Sequence, residues 1–169
     1  MKICIVVGSE GKNLELAFQF EECLKKLDAK VVILDIVKMN LPLYTSSVEK
    51  EKSASDLMAP YLGEIASDGF VFLCPEYNGS TTPAFSNFIA WVSRSSKNWR
   101  EHFNNRMAVI GSANGGGTNV LTVMRIQLSH LGMNVLGRSI HTTSTKVLDE
   151  NSLQTVCNQL IHLSQTQKG

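Results

Sequence analysis

Three short stretches of the sequence carry residues that a plain turn does not need. "PEYNGS", Pro75 to Ser80, ends an apolar run with a carboxylate at Glu76 and an amphipathic ring at Tyr77, both expected at a rim and facing outward. Pro75 fixes φ and has no donor, while Asn78 and Gly79 tolerate left-handed backbone, so this loop can bring main chain against a flat ring. "GSANGGGTNV", Gly111 to Val120, sets Ser112 and Asn114 ahead of Gly115, Gly116 and Gly117. Each of these glycines costs regular structure roughly 0.5–1 kcal/mol against alanine, and close approach of backbone to a ligand is the natural compensation. "GSEGKNLELA", Gly8 to Ala17, offers Ser9, the charge of Lys12 and Asn13 as a candidate helix N-cap, which together with backbone N–H groups and a helix dipole suit an anion. It is neither GxxxxGK[ST] nor GxGxxG, and each loop taken alone also reads as an ordinary turn.

The elements that must position these loops follow from periodicity. Five strand-like runs, "KICIVVG", "KVVILDI", "GFVFLC", "RMAVIG" and "MNVLGRSI", punctuate the chain, and the first four are nearly continuous in apolar residues, as parallel strands covered on both faces require. Helix-like stretches lie between and after them, at Leu14 to Leu27, Ser55 to Ala66, Pro83 to Ser93, Thr118 to Leu131 and Ser152 to Leu163. In the first, Leu16, Phe20, Cys23, Leu24 and Leu27 recur at helical spacing and leave Glu15, Glu22 and Lys26 to solvent. Alternating strand and helix predicts an α/β fold, a doubly wound five-stranded parallel sheet of flavodoxin-like order 2-1-3-4-5 with helices on both faces. Ligands of such sheets bind beyond the carboxyl ends of the strands, near the switch point between strands one and three. The three loops follow strands one, three and four, which is where chemistry is expected.

With 169 residues, 43% hydrophobic and 18% charged, the chain suits a single domain over 1–169. Its net charge of +1 and its scattered basic residues give no footing for nucleic acid or a membrane surface. "KICIVVG" is too short for a secretory core and no apolar run approaches membrane-spanning length, so a cytoplasmic protein is expected. Cys4, Cys23, Cys74 and Cys157 stand far apart, as buried reduced thiols do. His102, His130, His141 and His162 show no metal-ligand spacing, and no metal site is expected. Arg125 reads as a solvated helix residue or as one approaching a cofactor phosphate or a neighbouring subunit, and Arg94 to Arg106 as a basic connection into the fourth strand.

On these residues the sequence resembles the NADPH-dependent FMN reductase family, a flavodoxin-like group that includes quinone, azo-dye and chromate reductases. "LPLY", Leu41 to Tyr44, resembles the family's segment after its second strand, and "PEYNGSTTPAFSNFIAWVSR", Pro75 to Arg94, its signature PEYNGS-x-P-x-x-x-K-N-x-x-D-W. "IGSANGGGTNVLTVMRIQLSHLGMNV", Ile110 to Val135, is similar to its third loop and the elements that follow. The resemblance implies that Pro75, Glu76, Tyr77, Asn78 and Gly79 border a flavin ring, that Ser112, Asn114, Gly115 and Gly116 match the loop on its other side, and that Gly8, Ser9 and Asn13 lie near the ribityl phosphate. Phe88 and Trp91 fall where the family buries a dimer contact, although packing of an amphipathic helix on its own sheet explains them equally well. Departures are concentrated at the phosphate. The family's GSxRxxSxN has lost its arginine and second serine, and Lys12 can supply a point charge but not a bidentate fork, with Glu10 close by. Ser86 replaces the signature lysine and Ala90 its aspartate, and the tail "TSTKVLDENSLQTV", Thr143 to Val156, resembles the family's C-terminal segment only loosely.

The expectation is an FMN-dependent oxidoreductase that passes hydride from NAD(P)H through bound flavin to a quinone, flavin or similar small acceptor, as a homodimer or homotetramer. The flavin carries the chemistry, so no catalytic side chain is assigned. Two other readings stand beside it, a flavodoxin-like electron carrier and a family member whose FMN site is weakened or lost.

Overall fold

The computed structural model describes residues 1–167, so the last two residues of the expected domain lie outside the described residues. Strands β1 (Lys2–Val7), β2 (Lys30–Asp35), β3 (Gly69–Leu73), β4 (Met107–Ala113) and β5 (Asn134–Val135) form a parallel sheet of order β2-β1-β3-β4-β5. This is the doubly wound order that the sequence pattern predicts. Every residue of β3 and β4 is buried, which explains why those runs are apolar throughout and do not alternate. β2 lies at the edge and is only half buried.

Alternate side chains divide the strands between two cores. Ile3, Ile5, Val7, Val71, Leu73 and Val109 face helices α1 (Lys12–Lys25) and α6 (Glu150–Thr166), with Leu16, Phe20, Leu24, Val156 and Leu160 filling that layer. Cys4, Val6, Phe70, Phe72 and Ile110 face α3 (Ala54–Ile65), α4 (Pro83–Val92) and α5 (Thr118–His130). The aromatic cluster of Phe70, Phe72, Phe85 and Phe103 sits in this second layer, with ring centroids 5.6–6.0 Å apart. A short helix α2 (Ser46–Glu51) and a 3₁₀ turn at Trp99–His102 are additions to the predicted elements. All four cysteines are buried and unpaired, and burial pushes the Cys4 thiol up to about 12. None of the described helices is long and apolar enough to cross a membrane.

The fifth predicted strand is corrected by the structure. "MNVLGRSI" is broken, pairing with β4 at Asn134–Val135 and again further along as β6 (Ile140–Thr142), where Gly111, Ser112 and Ala113 align with Ile140, His141 and Thr142. Arg125 explains how the intervening backbone stays satisfied. Its half-buried guanidinium donates to the carbonyls of Val135 (3.3 Å), Leu136 (2.7 Å) and Gly137 (3.2 Å), so it is committed to the backbone that follows β5. An Arg125→Ala variant is expected to lose about 1–3 kcal/mol in urea-unfolding measurements, because three carbonyls lose a charged donor at once.

Candidate functional site

The carboxyl ends of β1, β3 and β4 are tied together before any ligand is considered. Gly8 N donates to Leu73 O (2.8 Å), and Gly8 O accepts from the Thr82 hydroxyl (2.8 Å). A Cβ on Gly8 would lie 3.1 Å from Cys74 Sγ and 3.3 Å from Thr82 Oγ1, so a side chain there would require one of these two to give way by a few tenths of an ångström. Thr82 also caps α4 through Phe85 N and donates its own N–H to Cys74 Sγ (3.3 Å). Burial raises the Cys74 thiol pKa against the lowering effect of the bonds from Thr82, which keeps a neutral thiol at the floor.

Asn13 is not the N-cap that the sequence suggests. Gly11 holds that position with φ +68°, and Asn13 lies inside the first turn with its side chain 2% exposed. Its carboxamide donates to Ala113 O and accepts from Ala113 N, both at 2.9 Å, across 100 residues of chain. The first and third loops are therefore joined by one side chain. The first bond of α1 that runs back to the cap is Glu15 N to Gly11 O (2.9 Å), which leaves the amides of Lys12, Asn13 and Leu14 outside the helical ladder. α2, α3, α4 and α6 begin at side-chain caps, whereas α1 and α5 begin at Gly11 and Gly117 without one.

At α5 the missing cap is replaced from a distance. Glu76 accepts from Asn119 N (3.0 Å), Val120 N (3.4 Å) and Asn119 Nδ2 (3.2 Å), so its carboxylate is turned onto the positive end of α5 and does not face outward. Tyr77 does face outward, 52% exposed. It pairs with Ser80 through Tyr77 N to Ser80 O (2.9 Å) and Ser80 N to Tyr77 O (3.0 Å), closing a two-residue turn in which Asn78 (φ +50°) and Gly79 (φ +78°) are left-handed, as a type I′ turn demands. In the third loop, Gly117 has φ +74°, and its place for a Cβ is taken by the His141 ring. Gly115 has φ +83° with open space beside it. Ser112 is fully buried in β4 and its hydroxyl has no partner among the described residues, so of the expected residues of that loop Asn114, Gly115 and Gly116 remain at the surface.

Ser9, Lys12, Asn13, Pro75, Tyr77 and Asn114, with Glu10, Gly11 and Ala113, enclose an open cleft of about 440 Å³. The structure thus brings the three loops to one place. Glu76, Asn78, Gly79, Gly115 and Gly116 belong to the loops that carry these residues but do not line the cleft. The donor set fits a phosphate-bearing planar cofactor: free amides and Lys12 at the α1 end, and proline, an exposed tyrosine and side-chain-free backbone at the other. Lys12 is already paired with Glu15 (2.8 Å), though both are well exposed and the pair is weak in water.

Sequence reasoning missed Thr82 and the work of the signature helix. Asn87 accepts from Tyr44 N (2.7 Å) and donates to Leu41 O (3.2 Å) and Pro42 O (3.0 Å), and Trp91 Nε1 donates to Pro42 O (2.6 Å). These two residues, one turn apart, pin "LPLY" to α4. Trp91 and Phe88 are buried within this chain. A Thr-Pro pair ahead of an apolar run was the available signal for the Thr82 cap.

A parallel sheet of this order, with a cleft at the carboxyl ends of β1, β3 and β4, defines a flavodoxin-like protein. The family model for NADPH-dependent FMN reductase matches residues 1–146, and the chain belongs to that family of FMN-dependent oxidoreductases. Among solved structures it is similar to FerB, a flavoenzyme NAD(P)H:(acceptor) oxidoreductase from Paracoccus denitrificans, at 17% identity and TM-score 0.76 over 98% of this chain and 97% of that one. RosB with bound 8-demethyl-8-formylriboflavin-5′-phosphate aligns at 11% identity and TM-score 0.79, over 99% and 80% of the two chains. An archaeal flavodoxin aligns at 13% identity and TM-score 0.65 over the whole of both. At such identities the likeness speaks for the fold. A search of curated proteins gives no match.

Substituting Asn13 by alanine is expected to destabilise the protein by about 2–4 kcal/mol, measured by urea unfolding, since both polar groups of the buried Ala113 peptide lose their partner.

Proposed function

We propose that this protein is an FMN-dependent NAD(P)H oxidoreductase acting on a quinone, flavin or similar small acceptor, as one flavin-binding domain over residues 1–169 in the cytoplasm. The observation that carries the reading is the convergence of three loops on one cleft whose α1 end keeps unspent backbone donors. In this reading the amides of Lys12, Asn13 and Leu14, with the Ser9 hydroxyl and the Lys12 ammonium, hold the phosphate. Pro75 to Gly79 and Asn114 to Gly116 flank the ring, partly through backbone. Bound flavin would accept hydride from the nicotinamide and pass it to the acceptor. The chain's own part is to bind and orient: Asn13 fixes the distance between the phosphate loop and the third loop, and Glu76 holds α5 at the second. No side chain is assigned as acid or base. Assembly as a homodimer or homotetramer belongs to the same reading, and Ile126, 68% exposed on α5 beside Val123, is apolar surface that such a contact would cover.

One observation favours a weakened flavin site. The cation of the first loop is engaged by Glu15, and Glu10 lines the same cleft, so a phosphate dianion meets little net positive charge. Titration of the apo-protein with FMN, followed by mixing the complex with NADH or NADPH under anaerobic conditions, separates the readings. Saturable FMN binding and bleaching of the flavin absorption by either nucleotide is the expected result. FMN binding without bleaching would indicate an electron carrier, and absence of both binding and NAD(P)H oxidation would reject the flavin reading altogether.

A further inference from the structure

Two of the three glycines in the third loop owe their identity to neighbouring side chains. A Cβ on Gly116 would lie 3.3 Å from Glu76 Oε1, and one on Gly117 would fall inside the His141 ring, whereas Gly115 has open space beside it. The loop is therefore held between a carboxylate from the loop after β3 and an imidazole from β6. His141 also brings Nε2 to 3.4 Å from Gly115 O. A carbonyl only accepts, so that ring nitrogen carries the hydrogen and donates it. The half-buried His141 is itself well anchored: it aligns with Ser112 in the sheet, and next to it Thr142 O accepts from Asn114 N (3.0 Å).

The peptide that links Gly115 to Gly116 has no side chain on either flank to oppose its rotation, so left to itself it turns over at little cost. In a trans peptide the C=O and N–H point opposite ways, and a donor that holds the Gly115 carbonyl fixes the direction of the Gly116 N–H as well. The N–H groups of Gly115, Gly116 and Gly117 make no hydrogen bond among the described residues, which leaves all three as donors for a ligand. Glu76 acts elsewhere, on the amides of Asn119 and Val120 inside α5. We infer that His141 is a positioning residue for the flavin: through its Nε2–H and the bulk of its ring it selects one orientation of the Gly115–Gly116 peptide, and with it the direction in which the third loop offers its amides. The inference rests on the flavin reading above, in which Asn114 to Gly116 flank the ring.

The test separates the donor from the bulk of the ring. His141→Gln keeps an amide N–H to offer the Gly115 carbonyl, whereas His141→Leu keeps apolar bulk and has no donor. Folding of each variant is checked by far-ultraviolet circular dichroism, the amide NMR signals of Gly115, Gly116 and Gly117 are followed in the apo-protein, and FMN dissociation constants are measured by flavin fluorescence. FMN is expected to weaken about tenfold in the Leu variant, as the loss of one oriented hydrogen bond implies, and to stay within about threefold of the unmodified protein in the Gln variant. The three glycine signals are expected to shift or broaden in the Leu variant and to keep their positions in the Gln variant. FMN affinity of the Leu variant within about threefold of the unmodified protein would overturn the inference, and so would an equal loss in both variants, which would leave the N–H without a role. Should the Leu variant fail to fold, His141→Ala takes its place, and failure of both to fold would make the residue a structural one and reject the positioning role. If the unmodified protein binds no FMN, the flavin reading fails and takes the inference with it, whereas FMN binding that ignores the loss of the donor rejects the inference alone.

Discussion

The geometry of the cleft depends on one buried carboxamide. Asn13 meets both polar groups of the Ala113 peptide, and in this buried pairing an unpaired N–H or C=O would each cost about 1–3 kcal/mol. Ala113 is the last residue of β4 and aligns with Thr142 of β6, and Asn114 N reaches back to Thr142 O (3.0 Å). A single side chain near the start of the chain therefore fixes the exit of β4, the entry of α1 and, through the sheet ladder, the segment that follows β6. The other walls inherit their positions from this junction.

The two helices that open on the site solve the problem of uncapped ends in opposite ways. α5 is closed by Glu76, a carboxylate supplied from 43 residues upstream, and is electrostatically satisfied without a ligand. α1 is left open, with a left-handed glycine at its cap and three amides unspent by the ladder. An anion is consequently directed to one end of the cleft only. That asymmetry is consistent with a cofactor having a charged tail and a flat, weakly polar head.

Much of the fold was legible because its cause is local. Continuous apolar runs such as "FVFLC" report burial on both faces, and the spacing of Leu16, Phe20 and Leu24 reports a helix with one buried side, so sheet order and layer assignment followed. The positions of the loops were legible for the same reason. What stayed hidden were partnerships between distant residues. Nothing near Asn13 in the sequence points to Ala113, nothing near Glu76 points to Asn119, and the break in the fifth strand depends on Arg125 of the preceding helix answering three carbonyls. Local propensity places a residue on an element, whereas its hydrogen-bond partner is settled by how the elements pack.

The two-residue turn at Asn78–Gly79 has a thermodynamic consequence for the rim it carries. Holding a loop residue in one backbone conformation costs about 1–2 kcal/mol of entropy, and a floppy rim would charge that cost to every ligand it closed upon. Here Tyr77 and Ser80 lock the turn with two backbone bonds, and the left-handed dihedrals of Asn78 and Gly79 are set when the chain folds. A molecule arriving at this edge needs to immobilise little more than the Tyr77 ring. Preorganisation of this kind lets a shallow cleft bind with modest contact area, because the surplus is not spent on ordering its wall.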